Sequence, residues 1–311
     1  MKLIFMGTPD IAAQSLQAIL QEGAHEVCAV FTREDKPVGR KQVLTAPPVK
    51  QLALEYDIPV FQPKTLKDEA LQAEIAAMQA DLIVVVAYGR ILPPPVLNAA
   101  RFGAVNLHVS LLPKYRGAAP IQWSVIHGDA QTGVSIMQLD EGLDTGDLLS
   151  VKPIEIGENE TSGELFERVG ALGAQVLLET LHDIEQGRAK RTPQDHAKAT
   201  LAPPLTKEMA KFDFDKDARV LHNLIRGMNP WPVAYFEYQG KKIKVKTSRI
   251  AGDESAQAAC GTVLSVKPLT VACAAGALTL VEVVPEGSRP MQGSEWAAGR
   301  RLNTGDVLSE T

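Results

Sequence analysis

Seven residues, Asp81–Ala87 (DLIVVVA), narrow the possible folds more than any other stretch of this chain. A strand with one face in water alternates apolar and polar residues. A run that is apolar on both sides belongs to a strand covered on both faces, as in a parallel sheet packed between helices.

The surrounding pattern agrees. Lys2–Gly7 reads as an apolar strand, and Ile11–Leu20 carries helical spacing with Ile11, Leu16, Ile19 and Leu20 in one stripe. Further strands are expected at Glu26–Thr32, Ala104–Val109 and Gly133–Leu139, with Leu148–Ile156 extending the sheet region. Helices are expected at Val49–Tyr56, Leu66–Met78, Ala118–His127 and Thr161–Gln186, the last capped by Thr161 or Ser162. Residues 33–48, polar and cationic with Pro37, Gly39, Pro47 and Pro48, read as a long loop. Strands alternating with helices predict an α/β fold with a doubly wound, mostly parallel sheet. Ligands in such sheets bind beyond the carboxyl ends of the strands. That rule places the residues after Ala87, those near 106–117 and those at 140–146 at one common edge.

The chain's 311 residues suit two domains. Residues 188–206 lack periodicity and contain three prolines, and residues 190–206 are read as a linker after a catalytic domain at 1–189. Beyond a helix at Ala218–Met228, short runs at Ala234–Tyr238, Lys242–Arg249, Gly261–Val266, Leu269–Ala274 and Ala277–Val284 predict a smaller OB-like β-barrel over 207–311.

Several classes of function are excluded. The first turn, Gly7-Thr8-Pro9-Asp10, has one glycine and is no dinucleotide fingerprint. Cys28, Cys260 and Cys273 show neither zinc spacing nor a disulfide framework, so no metal is expected. No apolar run approaches membrane-spanning length, and the apolar part of MKLIFMGTPD is too short for a signal peptide. A cytoplasmic monomer is expected.

Chemistry concentrates in two loops. Asn106 and His108 share one side of a buried strand near its end, with Leu107 opposite. An amide donor beside a titratable imidazole suits an acyl-transfer oxyanion. The acidic loop Leu139–Asp147 offers a carboxylate partner that would orient the imidazole and raise its pKa. Spacing alone leaves Asp140, Asp144 and Asp147 open for that role. EF-hand spacing is missing there.

Together, Asn-x-His, SLLPKYRGAAP with Trp123 after it, and DEGLDTGD resemble the folate-dependent formyltransferases. MGTPD, FTREDKPVGR at 31–40, VVAYGRILP at 85–93 and Asn229-Pro230-Trp231-Pro232 extend the resemblance essentially end to end. It implies Asn106, His108 and Asp144 as the catalytic trio. It implies Ser110, Leu111, Leu112 and Pro113 as the segment holding 10-formyltetrahydrofolate. Tyr88–Leu92, with Tyr88 and Leu92 at its ends, and Leu139–Asp144 would line the pterin pocket. The acceptor implied is the α-amine of methionyl initiator tRNA, with the Arg40 and Lys41 loop at the acceptor end.

Net charge is −5 overall, but residues 207–311 carry 14 Lys/Arg against 12 Asp/Glu, a net of +2. Lys242, Lys244 and Lys246 alternate with Ile243 and Val245, giving a basic strand face suited to RNA phosphates. A solvated, lysine-protected edge is the bland alternative. The main functional alternative keeps the chemistry but uses a small amine acceptor such as an amino sugar nucleotide. A non-catalytic RNA-binding protein on an enzyme scaffold is argued against by the intact trio.

Overall fold

The computed structural model describes residues 1–39, 41–252 and 258–308. The chain forms two compact units. The first comprises Met1–Gly117, Thr132–Ile154 and Phe166–Leu201; the second comprises Ala118–Gln131, Glu155–Leu165 and the residues from Ala202 onward.

In the first unit, strand β1 (Lys2–Gly7) leads into helix α1 (Asp10–Glu22) and strand β2 (Glu26–Phe31). Gly7 is required at this turn. A Cβ there would lie 2.7 Å from Ala12 Cβ and 2.9 Å from the Val86 carbonyl, so the strand, the helix and the neighbouring strand close around it. The segment expected as an irregular loop contains a two-stranded ribbon, β3 (Lys36–Val38) against β4 (Val43–Thr45). Its residues are exposed, so no apolar face signalled it in the sequence. Helix α2 (Pro48–Glu55), strand β5 (Val60–Phe61), helix α3 (Glu69–Ala77), strand β6 (Leu82–Val86), the single turn α4 (Pro94–Leu97) and strand β7 (Ala104–His108) follow. All five residues of β6 are buried, as its composition requires.

Strands β8 (Gln131–Gln138) and β9 (Leu148–Glu155) complete a seven-stranded sheet in the order β9-β8-β7-β6-β1-β2-β5. Pairs from β5 through β7 are parallel. Strand β8 is antiparallel to β7, with Val105 opposite Gln138 and His108 opposite Ser135. This corrects the expectation of one common carboxyl edge. The end of β8 lies beside the start of β7, and Leu139–Asp147 must run back along β7 to meet His108.

Helix α6 (Ser162–Glu185) begins with a reciprocal cap: Glu164 N–H donates to Thr161 Oγ1, and Thr161 N–H donates to a Glu164 carboxylate oxygen. Thr161 is therefore the cap, not Ser162. The core of this unit gathers Ile4, Met6, Phe31, Ile83, Val85 and Tyr88, with Phe61 stacked on Phe31 at 4.8 Å.

The second unit contains helix α5 (Pro120–Ile126), which packs with helix α7 (Ala218–Gly227). Its sheet comprises strands β10 (Tyr235–Tyr238), β11 (Lys241–Ala251), β12 (Val263–Val266), β13 (Leu269–Ala272) and β14 (Ala277–Pro285), in the order β10-β11-β14-β13-β12. The short strand β15 (Met291–Gln292) pairs with β14. Every registered pair is antiparallel. The expected short strands are present. Helix α8 (Gly293–Arg300) has no counterpart in the sequence pattern; its single large apolar residue, Trp296, gives no periodic stripe. That residue nonetheless sits edge-on to Phe236 at 5.9 Å and closes an aromatic core with Phe212 and Phe214.

Candidate active site

Strand β7 presents Leu107 to α6, where a Cβ on Gly173 would come within 3.1 Å of the Leu107 side chain. Alternation therefore turns Asn106 and His108 to the other side of the sheet. Asn106 is half-buried, and its side-chain amide has no hydrogen-bond partner among the described residues. An amide left open at such a position is free to donate to a bound molecule.

His108 is 5% exposed. Its Nε2 lies 2.9 Å from the Tyr115 carbonyl oxygen. A carbonyl can only accept, so Nε2 carries the proton and the neutral ring keeps its lone pair on Nδ1. Nδ1 faces Asp144 Oδ2 at 3.7 Å, beyond direct hydrogen-bond range. Tyr115, not Asp144, fixes the ring's tautomer.

The charge balance also departs from expectation. Burial is the largest influence on His108 and lowers its pKa below the ordinary 6.5; Asp144 and the Tyr115 carbonyl raise it, and Arg116 lowers it. The rise expected from the sequence counts the carboxylate alone. Desolvation outweighs that attraction, leaving a neutral base aimed at a carboxylate.

Asp144 is held at its carboxylate and at its backbone. Gly117 N–H donates to its Oδ2 at 2.8 Å. Gln194 Nε2 donates to the Asp144 carbonyl at 3.0 Å and to the Gly146 carbonyl at 2.7 Å. Arg116 Nη2 donates to Gln194 Oε1 at 2.7 Å. Asp144 and Tyr115 both occupy the left-handed region, at φ 52° and 62°. Aspartate tolerates this conformation better than tyrosine does, and both residues are placed by their surroundings. Of the other two candidates, Asp140 and Asp147, the first is engaged within its own loop, accepting from Gly142 N–H and Thr145 Oγ1.

The Ser110–Pro113 segment is braced rather than open. Ser110 is fully buried and its hydroxyl donates to the Lys114 carbonyl at 2.6 Å. Ser135 Oγ donates to the Ser110 carbonyl and accepts from Leu112 N–H. Thr200 N–H donates to the Pro113 carbonyl. The Leu111 side chain lies over Gly133. Tyr88 and Leu92 are buried in the core of the first unit. A cleft of about 570 Å³ opens between the α4 segment and the start of the acidic loop, lined by Leu97, Phe102, Gln138, Leu139, Asp140 and Glu141 among others. It overlaps the first part of the expected Leu139–Asp144 lining, and its size suits a small-molecule site.

The cationic residues divide. Arg33 donates to the Gly89 carbonyl, and Lys50 is tied to Asp35 and Gln62, so both serve the fold. Lys36 and Lys41 stay exposed on the ribbon. Arg40 lies outside the described residues. In β11, Ile243 and Val245 are buried while Lys242 and Lys244 are exposed, as alternation requires. Lys242 Nζ lies 4.6 Å over the Tyr235 ring, and Lys246 pairs with Glu282 at 3.3 Å. Sequence reasoning missed Gln194 and Thr200, because their segment has no periodicity and reads as a linker.

A buried acceptor imidazole, an open amide and a clamped carboxylate thus meet on an α/β sheet, an arrangement suited to group transfer, and family models give the class of the chain that carries it. The formyl transferase model matches residues 1–181, and the model of the formyl transferase C-terminal domain matches residues 204–301. The chain belongs to the formyl transferase family. Within it, the chain is similar along its whole length to methionyl-tRNA formyltransferases. It is 44% identical to that of Acetivibrio thermocellus, covering 100% of both chains, and 45% identical to that of Desulfotalea psychrophila, covering 100% of this chain and 96% of the relative. The fold is shared with the N-formyltransferase of Helicobacter canadensis, solved with folinic acid and dTDP-3-aminofucose (TM-score 0.68, 18% identity, 90% of this chain and 99% of that one). It is shared too with HypX of Aquifex aeolicus, solved with tetrahydrofolic acid (TM-score 0.64, 16% identity). The chain spans about half of HypX, 50% of its length, while covering 100% of its own.

Proposed function

We propose that this chain transfers the formyl group of 10-formyltetrahydrofolate to the α-amine of methionyl initiator tRNA. The observation that carries the reading is the pairing of an unengaged Asn106 amide with a buried imidazole whose lone pair faces Asp144. Full-length similarity to methionyl-tRNA formyltransferases supports this acceptor over an amino sugar nucleotide.

The cleft beside Leu139–Glu141 suits the pterin: apolar Leu97, Phe102 and Leu139 cover a flat ring, while Gln138, Asp140 and Glu141 offer polar partners. Leu111, Leu112 and Pro113 follow β7 directly and hold the carrier from that side, with Ser110 keeping the segment rigid. The carrier supplies a formyl group already activated on N10. The protein supplies placement and electrostatics.

The amine attacks the formyl carbon, a C–N bond forms, and negative charge collects on the formyl oxygen. The Asn106 amide donates to that oxygen. The amine must also lose a proton. His108 Nδ1 accepts it, and the resulting imidazolium is stabilised by Asp144 on one side and the Tyr115 carbonyl on the other. The proton then passes to N10 as its bond to the formyl carbon breaks, so protons and electron pairs balance. A neutral resting imidazole fits this role, since a protonated one could not accept.

The ribbon carrying Lys36 and Lys41, together with Arg40, meets the acceptor end of the tRNA. Lys242, Lys244 and Lys246 contribute phosphate contacts from the second unit. The protein acts as a monomer in the cytoplasm, without a metal. Among the described residues, no helix is long and apolar enough to cross a membrane.

Mixing the protein with 10-formyltetrahydrofolate and equimolar methionyl initiator tRNA and dTDP-3-aminosugar tests the acceptor. Formylmethionyl-tRNA as the sole product is expected. Formylated sugar alone would transfer the chain to the other reading.

A further inference from the structure

We propose that Gln194 is a positioning residue for formyl transfer, acting through Asp144 as one link of a closed ring that includes Arg116. The inference rests on the trio proposed above.

The ring can be followed atom by atom. His108 Nε2 donates to the Tyr115 carbonyl at 2.9 Å. The next residue, Arg116, reaches Gln194 Oε1 with Nη2 at 2.7 Å. Gln194 Nε2 donates to the carbonyls of Asp144 and Gly146 at 3.0 and 2.7 Å. Asp144 Oδ2 then accepts from Gly117 N–H at 2.8 Å and faces His108 Nδ1 at 3.7 Å. Tyr115, Arg116 and Gly117 are consecutive. One short segment therefore touches both ionisable members of the trio and is tied through Gln194 to the loop that carries Asp144.

Two features show that this is more than a surface contact. Gln194 is 6% exposed and Arg116 is 7% exposed, so the bond between them lies away from water, and both polar ends of the Gln194 amide are engaged inward. The loop is otherwise held at its ends and within itself, by Gln138 N–H on the Asp147 carbonyl and by Asp140 with Gly142 and Thr145, and Gln194 ties its middle. Asp144 sits in the left-handed region, and β8 delivers the loop beside the start of β7 rather than beside His108. A side-chain amide that spans both Asp144 and Gly146 fixes the backbone on each side of Thr145, and with it the direction of the carboxylate. Thr200 steadies the opposite segment: its Oγ1 accepts from Tyr115 N–H at 2.9 Å, and its carbonyl accepts from Arg116 N–H at 2.8 Å. The stretch that reads as a linker thus contributes structure to the catalytic constellation.

The role needs an acceptor toward Arg116 and two donors toward the loop, which only an amide supplies. Gln194→Glu is therefore the informative variant. It retains the shape and can pair with Arg116, but it cannot donate to the Asp144 and Gly146 carbonyls. Displacing a catalytic group by about 1 Å costs on the order of a hundredfold in rate.

The test uses the full chain and compares Gln194→Glu, Gln194→Ala and Asp144→Asn in steady-state formylation over a range of 10-formyltetrahydrofolate concentrations with saturating methionyl initiator tRNA. Both Gln194 variants should lose about tenfold to a hundredfold in kcat. KM for the folate should stay within about twofold, and the melting temperature of Gln194→Glu should stay near that of the wild type. The acid limb of kcat should move to lower pH, because His108 loses the carboxylate that raises its pKa; Arg116 and the Tyr115 carbonyl are its other charged or polar neighbours. A Gln194→Glu enzyme with wild-type kcat and pH profile, alongside an inactive Asp144→Asn, would overturn the positioning role and leave the trio standing. A fully active Asp144→Asn would overturn both. Loss confined to thermal stability, with kcat and the pH limb unchanged in the folded protein, would also overturn it.

Discussion

At the scale of single residues, the site depends on the competition between burial and charge at His108. Burial lowers its pKa, Asp144 opposes that shift, and the Tyr115 carbonyl fixes which nitrogen is basic. With the folded-state pKa below 6.5, the base form dominates at neutral pH, and activity is lost only as pH falls below that value. A pH profile of kcat should show a flat region around neutrality and an acid limb below 6.5. Asp144→Asn should move the limb to still lower pH as well as reducing the rate. A limb above 6.5 in the wild-type enzyme would mean that charge, not burial, sets the imidazole. The identities of Asn106 and His108 were legible because two polar residues on one side of an apolar strand have few structural explanations. The choice of Asp144 was not legible from spacing, since Asp140 and Asp147 share its loop. Only the turn back along β7 separates them, and that turn depends on an antiparallel pairing that no local pattern encodes.

Secondary elements were read well where they bury a regular face. Strand β6 and helices α1 and α7 are of this kind. The elements that escaped are the exposed ribbon β3–β4, the edge strand β5, the single turn α4 and helix α8 with its lone Trp296, none of which carries a periodic apolar stripe. Helix α7 shows what periodicity conceals, because its inner face is partly polar. His222 is buried, with Nδ1 2.9 Å from Ser248 Oγ and Nε2 3.1 Å from the Glu158 carbonyl. The carbonyl makes Nε2 the donor, so the serine hydroxyl donates to Nδ1 in the neutral ring. Burial again lowers the pKa below 6.5. A histidine depressed in the folded state leaves stability intact above its unfolded pKa and removes it as pH falls through that value, because the unfolded chain binds the proton more readily. Thermal melting of the full chain should therefore fall between about pH 7 and pH 5. His222→Gln should melt lower at neutral pH but show a shallower acid decline in the second unit's transition. An equally steep decline of that transition in the variant would show that His222 does not set it.

For the whole molecule, the division between an α/β unit and a more basic antiparallel unit was visible from the change of period and charge along the sequence, whereas folate was implied only by the family resemblance. The apportioning of the chain was not. Helix α5 and residues 155–165 belong to the second unit, while residues near 194 serve the first. Contacts between residues distant in sequence decide this, and periodicity is blind to them. The lysine face of β11 is also sparser than its sequence suggested, with Lys246 paired to Glu282. Replacing Lys242, Lys244 and Lys246 together by Ser should weaken tRNA binding and flatten the dependence of log Kd on log salt, by a slope of roughly one for each phosphate no longer neutralised. Folate-dependent chemistry on a minimal aminoacyl acceptor should be unaffected. An unchanged Kd and slope would reduce the lysines to solubilising an edge.

Formylation by single variants of the two β7 residues tests the account at its centre. Wild-type protein, Asn106→Ala and His108→Ala are each mixed with 10-formyltetrahydrofolate and methionyl initiator tRNA, and formylmethionyl-tRNA is followed in a single turnover while tRNA binding is measured on the same preparations. The wild type should form product, and each variant should be slower by about a hundredfold or more with an unchanged Kd for tRNA. Near-normal turnover by either variant, or no product from the wild type, would contradict the account.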